Sequence, residues 1–137
     1  MPIWPFSITQ DLRDFPKPIL VVDDDSPVRE QLVRVLVDAG FTAVPAADGE
    51  EALEIARQVR PRLVLLDLGL PGQSGWATLV SLTRLIPTAS VIIITAEPNQ
   101  ADAARAAGAG AFFEKPLEFP ALLHAVRTLL FPAPQTT

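Results

Sequence analysis

The sequence predicts an α/β domain of the (βα)5 type, a doubly wound, five-stranded parallel sheet with helices on both faces. Two observations predict it. Short β-branched apolar runs that end in polar or glycine residues alternate five times with amphipathic segments. The runs are also continuously apolar, as strands covered on both faces are. Buried strands separated by helices imply right-handed crossovers and a parallel sheet. A length of 137 residues suits one domain, and 49% apolar with 20% charged residues suits one core.

The elements follow in order. Residues 1–17 hold three prolines and no sustained period, and read as an extension whose Trp4 and Phe6 are candidates to pack on the domain. Pro18–Val22 is the first strand. It stops at Asp23-Asp24-Asp25-Ser26-Pro27, where a cap residue followed by proline opens a helix. Val28, Leu32, Val35 and Leu36 recur at helical spacing and Gly40 ends that helix.

Phe41–Val44 is expected as a short second strand, with Pro45 marking a sheet edge. Asp48 opens a second helix that reaches about Val59. Arg62–Leu66 is the third strand, closing on Asp67, and a glycine-rich loop, Leu68–Gly75, leads to a third helix over about Trp76–Ile86. Ser90–Ile94 is the fourth strand and ends at Thr95. An alanine-rich helix covers about Asn99–Ala107. Ala111–Glu114 is the fifth strand, ending at Lys115-Pro116, and Glu118–Leu130 is the last helix. Residues 132–137 read as a frayed tail.

Composition removes several functions. The net charge is −5 and the only lysines are Lys17 and Lys115, which argues against nucleic acid as a direct partner. No cysteine and a single histidine, His124, exclude thiol chemistry, disulfides and a multi-histidine metal site within one chain. Runs such as Ile19–Val22 and Val91–Ile94 are far shorter than the ~20 residues of a membrane span. The first residues lack the basic start and long apolar stretch of a signal peptide. A cytoplasmic protein with no membrane contact is expected.

In a parallel sheet, ligands bind beyond the carboxyl ends of the strands. Here those ends deliver Asp23, Asp24 and Asp25, then Asp67, Thr95 and Lys115. Carboxylates gathered in one pocket repel by about 4 kcal/mol per pair at ~4 Å and an effective dielectric near 20. The pocket must protonate one, pair it with a cation or bind a metal. Lys115 can neutralise one charge, and an all-oxygen donor set suits a hard divalent ion such as Mg²⁺. Metal, carboxylate, lysine and hydroxyl together equip a site for phosphoryl chemistry. Asp67 stands alone before a glycine loop and reads as the nucleophile, whereas the neighbours Asp23 and Asp24 suit gripping a cation. Asp25 reads as a cap for the first helix.

Several motifs resemble the receiver domain of two-component response regulators. They are Ile19-Leu20-Val21-Val22-Asp23-Asp24-Asp25, Leu65-Leu66-Asp67 through Gly75, Ile93-Ile94-Thr95-Ala96 and Phe113-Glu114-Lys115-Pro116. Ala47–Leu53 and Gly108-Ala109 are similar to further parts of that family, and the resemblance covers about residues 18–131. It implies a stand-alone flavodoxin-like receiver domain with strand order 2-1-3-4-5. Asp67 would be the phosphoacceptor. Asp24 would bind Mg²⁺ directly, with Mn²⁺ as a substitute, Asp23 chiefly through water, and the Gly69 carbonyl would be the third protein ligand. Thr95 would swing to the phosphoryl group, Lys115 would pair with it through a chain that often has a cis bond to Pro116, and Phe112 would be the aromatic switch.

The partners so implied are a sensor histidine kinase or a histidine phosphotransfer protein as donor and a target protein. The face formed by the fourth helix, fifth strand and fifth helix would carry the output, homodimerisation included. The resemblance makes the chain a signalling switch with only limited self-phosphorylation and self-dephosphorylation, not an enzyme proper. Two other readings compete. Asp23 and Asp25 fit the DxD start of haloacid-dehalogenase-type phosphatases, and the same fold also serves phosphorylation-independent interaction modules. Glu97 could tune the access of water. His124 reads as an ordinary helix-face residue, Trp76 as packing, and the alanines of the fourth helix as helix propensity.

Overall fold

The computed structural model describes residues 17–69 and 75–132. The suggested packing of Trp4 and Phe6, and all but the first residue of the tail, fall outside them. Five strands, β1 (Ile19–Val22), β2 (Ala43–Ala46), β3 (Leu63–Asp67), β4 (Ser90–Thr95) and β5 (Ala111–Glu114), alternate with five helices. The helices are α1 (Ser26–Asp38), α2 (Gly49–Val59), α3 (Gly75–Leu85), α4 (Ala101–Ala106) and α5 (Phe119–Leu130). All strand pairs are parallel and the order is β2-β1-β3-β4-β5, as expected.

Side chains alternate across the sheet, so each strand feeds two cores. Leu20, Val22, Val64, Leu66, Val91 and Ile93 pack with Ala52 and Ala56 of α2, Leu79 and Leu82 of α3 and Ala104 of α4. Ile19, Val21, Leu63, Leu65, Ile92 and Ile94 pack with Leu32 and Leu36 of α1 and Leu122 and Val126 of α5. Each such Leu or Ile contributes about 1.5–3 kcal/mol by leaving water. Both faces are covered, which is why the strands read as unbroken apolar runs.

Local chemistry sets the helix ends. The Asp25 carboxylate accepts from the Val28 N–H at 3.3 Å, with Pro27 at the start of α1. The Asp48 carboxylate accepts from the Glu51 N–H at 2.8 Å, while Glu50 and Glu51 complement the α2 dipole.

Two elements start two residues later than expected, and the bounds of the others lie within about one residue. The second strand is Ala43–Ala46 rather than Phe41–Val44. Phe41 is used by the end of α1, where Gly40 turns at φ 98° and the Phe41 N–H donates to the Leu36 carbonyl at 3.0 Å. Pro45 therefore lies inside the strand, opposite Val21, and is tolerated because β2 is an edge. The fourth helix begins at Ala101, not Asn99, since Asn99 has a left-handed φ of 65° and cannot continue a right-handed helix.

Gly75 returns the loop after β3 to α3 by direct backbone approach. A Cβ there would lie 2.6 Å from the Leu68 carbonyl oxygen and 2.8 Å from its carbon. We expect Gly75→Ala to lose about 1–3 kcal/mol of stability as backbone is pushed apart. A lowered urea midpoint would show this, whereas an unchanged one would mean that the loop yields freely.

Candidate functional site

The site is built at the carboxyl ends of four strands. Val22 pairs with Leu66, so Asp23 follows β1 next to Asp67, the last residue of β3. Asp67 in turn pairs with Ile94, Thr95 pairs with Glu114, and the Lys115 N–H donates to the Thr95 carbonyl at 2.8 Å. Parallel register alone therefore aligns residues spread over 92 positions of sequence on one rim, from Asp23 to Lys115.

Carboxylate oxygens of Asp23, Asp24 and Asp67 lie within 4.8 Å of one another. Asp23 is 1% exposed and Asp67 6%, whereas Asp24 is open to solvent. The Lys115 ammonium reaches both buried members, 3.3 Å from Asp67 Oδ2 and 3.6 Å from Asp23 Oδ2. The other oxygens face backbone donors: Asp67 Oδ1 accepts from the Gly69 N–H at 2.9 Å and Asp23 Oδ1 from the Asp25 N–H at 2.9 Å. A Cβ at Gly69 would make only an ordinary van der Waals contact with Asp67 Oδ1, at 3.4 Å.

The charges are unequal. Burial pushes the Asp23 carboxyl above its ordinary value, and Asp67 and Asp24 add to the rise against the Asp25 N–H and Lys115, which oppose it. Burial alone would lower the Lys115 ammonium, but Asp23 and Asp67 outweigh it and raise it, so the lysine stays charged. Asp23 Oδ2 is buried and, among the described residues, accepts no hydrogen bond. With only the Lys115 ammonium beside it, at 3.6 Å, this buried carboxylate oxygen keeps its coordinating capacity for a further cation. Hard divalent ions bind oxygen at about 2.0–2.6 Å, so opposite ligands lie about 4–5 Å apart, and the three aspartates fit one such ion.

A pH prediction follows. With its folded pKa raised, Asp23 holds more protons in the folded than in the unfolded chain from about pH 4 upward. In chelator, wild-type stability should therefore fall as pH rises through that window. Asp23→Asn should remove this slope and lose stabilisation by divalent cation. Thermal melts with and without chelator check this, and parallel curves for the two proteins would refute the account.

Thr95 is 2% exposed, and its hydroxyl accepts from the Glu97 N–H at 3.1 Å. Glu97 itself is exposed. Phe112 pairs with Ile93 and packs half-buried on the α2–α4 side. Thr95 is two residues beyond Ile93, so it lies on the same sheet side as Phe112. Asp25 caps α1, its carboxylate accepting from the Val28 N–H, as expected. His124 is exposed on α5, and Trp76 packs half-buried at the start of α3, both as expected.

Sequence reasoning missed Arg29, whose guanidinium donates to the Asp23 carbonyl at 2.7 Å and ties α1 to the acidic loop. A signal existed, because a cation in the first turn opposes the helix dipole and needs a reason.

A family model described as the response regulator receiver domain matches residues 19–127. The chain is 37% identical over 117 residues to the DNA-binding response regulator MtrA of Mycolicibacterium paratuberculosis, covering 82% of this chain and 50% of that protein. It thus spans about half the length of the curated relatives it matches. Among solved structures, a CheY-like receiver domain protein from Methanospirillum hungatei superposes with a TM-score of 0.80 at 28% identity, covering 85% of this chain and 94% of that one. A Burkholderia pseudomallei response regulator with a phosphorylated aspartic acid, calcium ion and citrate has a TM-score of 0.76 at 29% identity, covering 82% and 67%. Because the family match runs from the first strand into the last helix, the chain belongs to the receiver-domain family of response regulators and is a phosphoacceptor switch of two-component signalling.

Proposed function

We propose that Asp67 is the accepting residue and that residues 18–131 form the working unit. The supporting observation is that Asp67, a member of the three-carboxylate cluster, takes the hydrogen bond of the Lys115 ammonium at 3.3 Å, whereas Asp23 stands 3.6 Å from it. An Asp67 carboxylate oxygen attacks phosphorus, the bond from phosphorus to the donor nitrogen breaks, and an acyl phosphate forms. Lys115 neutralises the oxygen charge that develops. Asp24, Asp67 and the Gly69 carbonyl, with Asp23 chiefly through water, would hold Mg²⁺ or in its place Mn²⁺, which would screen the phosphoryl oxygens. The Thr95 hydroxyl then leaves Glu97 for the phosphoryl group.

Phe112 fills the space so changed. It borders a cavity of about 150 Å³ with Ala101 and Arg105, which gives the ring room to repack. Having no hydroxyl, it transmits by packing alone, and α4, β5 and α5 carry the output to a target protein or a second copy. The donor is a sensor histidine kinase or a histidine phosphotransfer protein, and the setting is the cytoplasm. Among the described residues no helix is long and apolar enough to cross a membrane. Self-phosphorylation and hydrolysis are its only chemistry, and neither nucleic acid nor membrane is contacted directly.

Intact mass after acetyl phosphate treatment tests this reading. One phosphoryl group per chain is expected, dependent on divalent cation and mapping to Asp67. Mapping to another carboxylate, or equal labelling in chelator, would overturn it.

A further inference from the structure

The rim opposite the acidic cluster holds a groove of about 830 Å³. Its wall includes Lys17, Phe41 and Arg62, each just ahead of a strand, and Arg127, Leu130 and Phe131 from the end of α5. Among the described residues no carboxylate lines it. In a chain of net charge −5, three cations round one groove reverse the general sign. Arg62 reaches only the Leu130 carbonyl, at 3.5 Å, and among the described residues neither Lys17, Arg62 nor Arg127 is in an ion pair. Phe131 is 66% exposed at the lip. The groove is therefore apolar, basic and uncovered by the described chain.

Residues 1–16 join the chain at Lys17, in the wall itself. They carry Ile3, Trp4, Phe6, Leu12 and Phe15, with Asp11 and Asp14 against one cation, Arg13. We propose that this segment docks in the groove, its carboxylates toward Arg62 and Arg127 and its aromatic residues over Phe41, Leu130 and Phe131. Asp14 and Phe15 lie within ~10 Å of chain from Lys17, and Trp4 within ~43 Å, so every group reaches without strain. A tether this short holds the segment at about millimolar effective concentration, at which weak charge pairs and partial aromatic burial suffice. Charge and shape favour it over a second copy, since the segment brings both acids and rings to a site that lacks both partners. The groove lies at the far end of the strands, so docking is independent of phosphoryl acceptance.

The test uses the full chain. Trypsin cleavage after Arg13 reports exposure of the segment, and Trp4 emission in a Trp76→Phe background reports burial. Reversing Arg62→Glu with Arg127→Glu should speed cleavage at Arg13 roughly tenfold and shift Trp4 emission to the red. Adding Asp11→Lys and Asp14→Lys, which create trypsin sites of their own, should restore the Trp4 emission, and Phe131→Ala should loosen the segment without a charge change. Unaltered cleavage and emission in the reversed protein would overturn the proposal. So would protection that depends on protein concentration, which would assign the groove to a second copy.

Discussion

Asp67→Asn is expected to take up no phosphoryl group from acetyl phosphate, with divalent cation or without it, while remaining folded. The amide keeps the shape of the carboxylate and an oxygen for the Gly69 N–H, but its nitrogen has no lone pair free to attack phosphorus. The substitution also removes one of two buried negative charges that share Lys115. Stability should therefore change by less than about 1 kcal/mol, because neutral groups replace charged ones in such clusters at little cost. Intact mass and a melting curve on the same sample separate loss of the acceptor from loss of the fold. Labelling equal to wild type would move the acceptor to Asp23 or Asp24. The same variant discriminates a phosphorylation-independent module, since a partner that binds Asp67→Asn and treated wild type equally would not be reading the switch.

How much of this was legible beforehand depended on whether the cause was local. Ile19–Val22 and Leu63–Leu66 were readable because sheets covered on both faces need unbroken apolar runs. Asp23, Asp67, Thr95 and Lys115 were readable as a set because parallel pairing turns four separate strand ends into one rim. Asp25 was readable as a cap because capping spans only three residues.

What escaped was non-local or strained. Phe41 looks like strand, but its N–H closes the end of α1, so β2 slips two residues along. Alanine favours helix throughout residues 101–107, yet the left-handed Asn99 sets where α4 can start. Arg29 and Gly75 act on the backbone of Asp23 and Leu68, contacts that no periodicity encodes. Both hold the loops that carry the acidic residues, so the sequence reading found the reacting groups and missed their supports.

Lys115→Met should separate a working ammonium from an ordinary surface ion pair. Its side chain is 28% exposed, while the two carboxylates it serves are almost fully buried. Breaking a fully buried pair costs about 3–5 kcal/mol, and solvent at the lysine brings that down, so a loss of about 2 kcal/mol in chelator is expected. Divalent cation should recover most of it, since binding at a hundred times Kd contributes about 2.7 kcal/mol and a cation can neutralise the same oxygens. Phosphoryl gain should still slow by about a hundredfold, because neutralising the carboxylates does not replace a donor aimed at the incoming oxygens. The combination is diagnostic. A surface pair would shift stability by no more than about 1 kcal/mol, with the same cation dependence as wild type. Recovery of stability without recovery of rate would instead place Lys115 in two roles at once, counter-ion to Asp23 and Asp67 at rest and anchor for the phosphoryl group during transfer.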